Sequence, residues 1–202
     1  MKFSILILTI FIISMSCFSQ DQAAADSQSS QNFAVKWFEA TKNKFVTIYD
    51  QGQNDLYVLG YAYHDRNTYT KDKLKNLNEG AYGLGLGRSI VNEKGNTEML
   101  YAMFHLDSHK DLQVNIGYAW VKKISVIGNL KVGIGYTAFL VSRTDFAHRI
   151  PIPFALPLAT IDIGNASLNA ILIPKLNNGI NNGNVLFLFG KFTWGRKKEA
   201  LL

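Results

Sequence analysis

The sequence predicts an all-β fold: an eight-stranded antiparallel transmembrane β-barrel with a short N-terminal amphipathic α-helix. Three observations predict it. Between residues 55 and 194, eight stretches alternate with period two, the side-chain period of a strand, each roughly ten residues long. Turn-forming sequences separate most of them: Asn92-Glu93-Lys94-Gly95-Asn96, Gly128-Asn129, Gly164-Asn165 and Asn177 to Asn184. Connections this short leave little room for crossover helices, so the sheet is expected to be antiparallel. The third observation is that one face is large and apolar while the other carries Gly, Ala, Gln, Asn and Thr. A soluble barrel fills its interior with large side chains to crystal-like density. The reverse pattern suits a barrel that turns its apolar face to lipid and encloses a narrow lumen.

In chain order, residues 1–19 read as a signal peptide: Lys2, an apolar run from Ile5 to Ile13, then Ser14, Ser16 and Ser19 near the expected cleavage site. Residues 20–32 are polar and rich in Ala, Ser and Gln. Residues 33–54 hold the helix and a linker, with Phe33, Trp37 and Phe38 on one face and Lys36, Lys42 and Lys44 around the other. Such a helix fits a membrane interface and a soluble core equally well. In the barrel, residues 55–194, Tyr57, Leu59, Tyr61 and Tyr63 oppose Val58, Gly60, Ala62 and His64. Leu84 and Leu86 oppose Gly83, Gly85 and Gly87. Leu100, Ala102, Phe104 and Leu106 oppose Met99, Tyr101, Met103, His105 and Asp107. Leu112, Val114, Ile116, Tyr118 and Trp120 oppose Gln113, Asn115, Gly117 and Ala119, and Val132, Ile134 and Tyr136 oppose Lys131, Gly133, Gly135 and Thr137. Further strands are expected at about 154–162, 167–173 and 185–194, with Tyr57, Tyr63, Trp120 and Trp194 at interfacial girdles and a basic tail over 195–202.

Composition sets the outer limits. The 202 residues suit one domain of moderate size. Hydrophobic residues at 48% and charged residues at 18% rule out a disordered chain. No stretch after the N-terminus supplies the ~20 apolar residues of a spanning helix. A single cysteine, Cys17, excludes an internal disulfide framework and a cysteine metal site. The histidines show no metal-site spacing, so no metal or cofactor is expected. The net charge of +6 suits an acidic partner without choosing between nucleic acid and anionic lipid. Eight strands leave room only for side chains or one slim ligand. Small residues along the wall suit an extended acyl chain, and they equally suit a tightly curved wall.

The order of landmarks resembles the PagP family, lipid A palmitoyltransferases of Gram-negative outer membranes. The matching stretches are Tyr61-Ala62-Tyr63-His64-Asp65-Arg66, Gly83 to Arg88, Asn92 to Asn96, Leu100-Tyr101-Ala102-Met103, Asp107-Ser108 and Gly117-Tyr118-Ala119-Trp120. They continue through Ile150-Pro151-Ile152-Pro153, Leu156-Pro157-Leu158-Ala159, Ile173-Pro174 and Asn181 to Val185. The resemblance implies transfer of an acyl chain, palmitate or slightly shorter, from a phospholipid to a hydroxyl of lipid A, by a monomer in the outer membrane with no nucleic-acid partner.

The resemblance assigns the catalytic residues to His64, Asp107 and Ser108. A histidine can act as general base near neutral pH, and a carboxylate can orient it or stabilise its cation. Neighbours on a strand point to opposite faces, so Asp107 and Ser108 are expected beyond a strand end at the rim, with Ser108 in a positioning role or as an acyl acceptor. Pro157 and Pro174 match a family pair that interrupts strand pairing to admit lipid, because proline has no N–H to donate. The other family pair falls on Leu59 and Ala81. Ala119 lies where palmitoyl-selective members carry glycine at the acyl-pocket floor, so a slightly shorter chain is expected. Two alternatives stay open: a structural or adhesive barrel without catalysis, and a secreted lipocalin-like carrier.

Overall fold

The computed structural model describes residues 27–143, 149–176 and 181–195, with side chains from residue 33 onward. The expected signal peptide, His148 and most of the basic tail lie outside these residues. Helix α1 (Ser27–Gln51) is longer than the sequence pattern suggested and leaves only Gly52 before the first strand. Within it, Thr41 Oγ1 donates to Trp37 O at 2.9 Å and Lys42 pairs with Glu39 at 3.3 Å. None of the described helices is long and apolar enough to cross a membrane.

Eight antiparallel strands follow: β1 (Gln53–His64), β2 (Gly80–Val91), β3 (Thr97–Leu106), β4 (Leu112–Ile127), β5 (Leu130–Ser142), β6 (Ile152–Ile163), β7 (Ala166–Ile173) and β8 (Val185–Trp194). Each pairs with its neighbours in sequence, and β1 pairs with β8 to close the barrel. Turns 92–96, 128–129 and 164–165 lie at one end. The longer loops lie at the other, including the short helix α2 (Lys71–Lys75), whose first turn is capped by Thr70.

The outer surface is apolar: Val58, Leu84, Leu86, Phe104, Ile134, Ile161, Leu168 and Phe192 are all exposed. That is the surface expected of a barrel in lipid. Inside, the small-residue expectation holds only in part. Gly83, Gly85 and Gly87 of β2 and Gly117 of β4 do face inward, but large side chains from neighbouring strands occupy the space they leave. A Cβ on Gly85 would sit 2.6 Å from Met103 Cγ, and one on Gly87 would sit 2.8 Å from Tyr57 Cε2. Tyr57, Leu59, Met99, Tyr101, Met103, Leu156, Phe187 and Phe189 are buried in one cluster. Tyr57 is therefore no girdle residue; it packs against Tyr101 and Phe189, with ring centroids 5.9 and 6.1 Å away.

The alternation of β1 also changes partway. Tyr57 and Leu59 point inward, then Tyr61 and Tyr63 point outward while Ala62 and His64 point inward. The cause is a register shift between Leu59 and Tyr61. Leu59 faces Phe189 and Tyr61 faces Leu188, so Gly60 is an extra residue relative to β8. A bulge of this kind re-aims every side chain beyond it. His64 enters the barrel for this reason.

Gly135 tests the packing rule, because a Cβ there would overlap the Trp120 carbonyl and lie 2.8 Å from Val121 Cα. Gly135→Ala is expected to destabilise the folded barrel by about 1–3 kcal/mol. Gly60→Ala, whose Cβ meets nothing within 4 Å, should stay within about 0.5 kcal/mol of wild type. Urea unfolding in detergent, followed by tryptophan fluorescence, measures both.

Candidate active site

At the long-loop end the barrel opens into a cavity of about 460 Å³, within the size range of small-molecule sites. Its deep walls are apolar, formed by Met103, Phe139, Leu156, Ile171 and Phe187, and Tyr101 is the deepest lining residue on β3. The Tyr101 hydroxyl hydrogen-bonds Thr137 Oγ1, which in turn donates to Tyr118 O at 3.2 Å. The tyrosine passes over Gly117 of β4 to reach β5, so the pair lies along the wall at the deep end of the lining. Ala119 is buried one step further from the mouth along β4, paired with Met99 and Thr137.

His64, Asp107 and Ser108 all line the mouth of this cavity. His64 arrives as the last residue of β1, 1% exposed. β3 ends at Leu106, so Asp107 and Ser108 lie in the turn to β4, free of the strand's alternation. His64 Nε2 and Ser108 Oγ are 2.9 Å apart. Asp107 has other partners. Its Oδ1 accepts the N–H groups of His109 at 2.8 Å and Asp111 at 2.9 Å, and its Oδ2 lies 3.4 Å from Arg143 Nη2. Asp107 thus holds the turn that presents Ser108. The backbone of Ser108 is fixed from the other side, where Asn78 N–H donates to Ser108 O at 2.9 Å.

The carboxylate beside His64 belongs to Glu79, immediately before β2. Glu79 Oε1 lies 3.5 Å from His64 Nδ1 and accepts the His64 backbone N–H at 3.0 Å. Arg66 grips both carboxylate oxygens, and Tyr61 OH donates to Oε2 at 2.7 Å. Nothing in the sequence marked Glu79, since a lone acid before a strand is ordinary. The only available signal was its place on the loop that returns beside β1.

Two further histidines lie at the mouth. His105 is tied at both ring nitrogens: Nδ1 donates to Leu106 O at 2.9 Å, which leaves Nε2 to accept from Asn115 Nδ2 at 3.0 Å. Its ring also packs on Phe187, centroids 5.0 Å apart. His109 is largely exposed, 4.0 Å from Asp107.

The barrel wall is interrupted beside the cavity. β6 and β7 are paired from Ile163↔Ala166 to Leu158↔Ile171 and no further. Residues Ile152 to Pro157 of β6 keep their β5 partners but have none on β7, and Pro174 follows the end of β7. Leu156, Ile171 and Ile173 line both the gap and the cavity. On the opposite wall, Leu59 still pairs with Gly83, and Ala62 N–H donates to Glu79 O at 2.9 Å. β1 and β2 therefore stay bonded on both sides of the bulge.

Arg66 draws the Glu79 carboxyl down from 4.5 to about 2, with help from the His64 N–H and Tyr61 and against a smaller opposing effect of burial. A carboxyl depressed on folding stabilises the folded rim above its unfolded value, and that contribution is lost as pH falls from about 4.5 toward 2. Carbon-13 NMR of the Glu79 side chain in detergent is expected to give a midpoint near 2, and Arg66→Leu should raise it toward 4.5.

Residues 44–191 match the family described as "Antimicrobial peptide resistance and lipid A acylation protein PagP". The chain is 43% identical over 156 residues to a protein of Bordetella pertussis named Lipid A acyltransferase PagP, covering 77% of this chain and 84% of that protein. It is 39% identical over 175 residues to one of the same name from Legionella pneumophila, covering 85% of this chain and 92% of that protein.

Proposed function

Since the chain belongs to the PagP family and is an acyltransferase acting on lipid A, we propose that it moves one acyl chain from a phospholipid to a lipid A hydroxyl within a bacterial outer membrane. The observation that carries this reading is the His64–Ser108 pair at the mouth of an apolar cavity whose wall includes the stretch where β6 and β7 are unpaired. A phospholipid can enter through that gap past Pro157 and Pro174, lay its acyl chain along Leu156 and Ile171, and leave its ester at the polar mouth. An adhesive barrel has no use for such a slot, and an exposed apolar surface does not suit a secreted carrier.

Acyl transfer needs a base for the acceptor hydroxyl and an acid for the departing lysophospholipid oxygen. His64 Nε2 serves as both. It takes the proton as the hydroxyl attacks the ester carbonyl and returns it when the donor C–O bond breaks. Ser108 holds the ring through Nε2 until the acceptor hydroxyl takes its place, and Asp107 keeps Ser108 in position through the turn. Mass spectrometry of lipid A from cells making the protein is expected to show one added acyl chain per molecule, absent with His64→Ala. The protein incubated with phospholipid alone should gain no acyl mass. Unmodified lipid A in wild-type cells sinks the reading, and an acyl group on Ser108 replaces its positioning role with a covalent one.

The buried Ala119 is the β4 neighbour of Thr137, and Thr137 holds Tyr101 at the deep end of the cavity lining, which serves as the acyl floor. Ala119→Gly lets that floor settle and is expected to favour donors longer by about one methylene, ~0.8 kcal/mol or roughly fourfold in rate ratio. Competition between phospholipids of graded chain length measures it. Sharp selectivity for sixteen carbons that is unchanged by the substitution contradicts the assignment.

A further inference from the structure

Resting on the reading of His64 as general base, we propose that Glu79 is the positioning residue of this site. Its carboxylate accepts the Nδ1–H of His64, so that Nε2 meets the acceptor hydroxyl unprotonated, and it stabilises the imidazolium formed when Nε2 takes that proton. The proton balance stays that of the transfer: one proton moves from acceptor hydroxyl to Nε2, then from Nε2 to the departing oxygen.

The geometry carries the assignment. Among the described residues, His64 Nδ1 is buried without a hydrogen-bond partner, and the charged group that faces it is Glu79, with Oε1 at 3.5 Å. That separation is beyond a hydrogen bond in the resting state, as is common before substrate binds, and it can close when the ring becomes cationic. The carboxylate is held for this purpose from three directions: the Arg66 fork, the Tyr61 hydroxyl and the backbone N–H of His64 itself. The last bond ties the carboxylate to the residue it orients. Arg66 is fixed too, because its Nη1 also donates to His64 O at 2.6 Å. Asp107 is committed elsewhere, to its own turn and to Arg143. Among the described residues, the charged groups acting on the His64 ring are Glu79 and Arg66, with Ser108 at Nε2 and the Tyr69 ring edge-on at 5.1 Å.

Opposite charges on one scaffold give a signature that loosening the loop does not. Removing the Glu79 charge disfavours the imidazolium, so the base stays active to lower pH; removing the Arg66 charge does the reverse. The experiment is the pH–rate profile of detergent-refolded wild type, Glu79→Gln, Glu79→Asp and Arg66→Leu, with strand content checked by circular dichroism. Glu79→Gln should lower kcat at least about tenfold with little change in donor KM, and should move the acid limb down by about one pH unit. Glu79→Asp should recover part of the rate, and Arg66→Leu should move the acid limb upward. An acid limb unmoved in Glu79→Gln, or shifted in the same direction by both charge removals, overturns the proposal. Nitrogen-15 NMR of the wild-type His64 ring provides a check that needs no variant: the Nδ1–H tautomer is expected, and the Nε2–H tautomer overturns it. If His64→Ala keeps full activity, the general-base reading fails first, and the profiles of the Glu79 variants are then those of wild type.

Discussion

Closure of the hydrogen-bond ladder is the constraint on which the rest depends. An open sheet with this outer surface would present an unpaired edge in lipid, where each lost backbone hydrogen bond costs several kcal/mol. Pairing β1 with β8 removes the edge and fixes the circumference at eight strands. That circumference is too small for a water-filled channel, so the lumen must be filled by side chains or by one slender ligand. Irregularities in the ladder are costly, and two of them stand at the cavity end: the gap between β6 and β7 and the bulge at Gly60.

The filling of the lumen is graded along its length. At the short-turn end, Lys123 pairs with Asp162 at 2.8 Å and Lys191 with Asp55 at 3.4 Å, joined by Thr160, Ser167 and Thr193. These buried charges are neutralised and hydrogen-bonded, which makes their burial tolerable without making it a large source of stability. Apolar side chains follow, with the Tyr101–Thr137 pair against the wall, and the cavity lies above them. A ligand entering from the mouth therefore meets polar groups first and apolar walls after. That order suits an amphiphile held by its head at the rim.

The rim is built around two adjacent residues. Asn78 secures the backbone of Ser108, and Glu79 secures the backbone of His64. One short segment thus holds both His64 and Ser108, which come from elements 44 residues apart in sequence. The carboxylate also stands in for a ladder partner where β1 outruns β2, so structural and chemical roles meet in the same atoms.

Sequence alone was enough for the strand count, their approximate limits, the antiparallel order and the outward apolar surface of Leu84, Phe104 and Ile134, because period-two patterning is local and is imposed by the solvent each face meets. The family resemblance in the sequence also marked Pro157 and Pro174, whose missing N–H is a property of the residue itself. Tertiary structure decided the rest. The turn of His64 into the lumen depends on the register of β1 against β8, which a bulge at Gly60 alters with no sign in the hydrophobic pattern. Tyr57 is interior where Gly87 of β2 vacates space for its ring, a relation between strands and not within one. Glu79 is an unremarkable acid in the chain, whereas the family resemblance singled out Asp107. Asp107 is set against its own turn by local bonds to His109 and Asp111, whereas only the closing of the barrel brings Glu79 beside an imidazole, because that contact is made across space between segments whose separation in sequence carries no record of it.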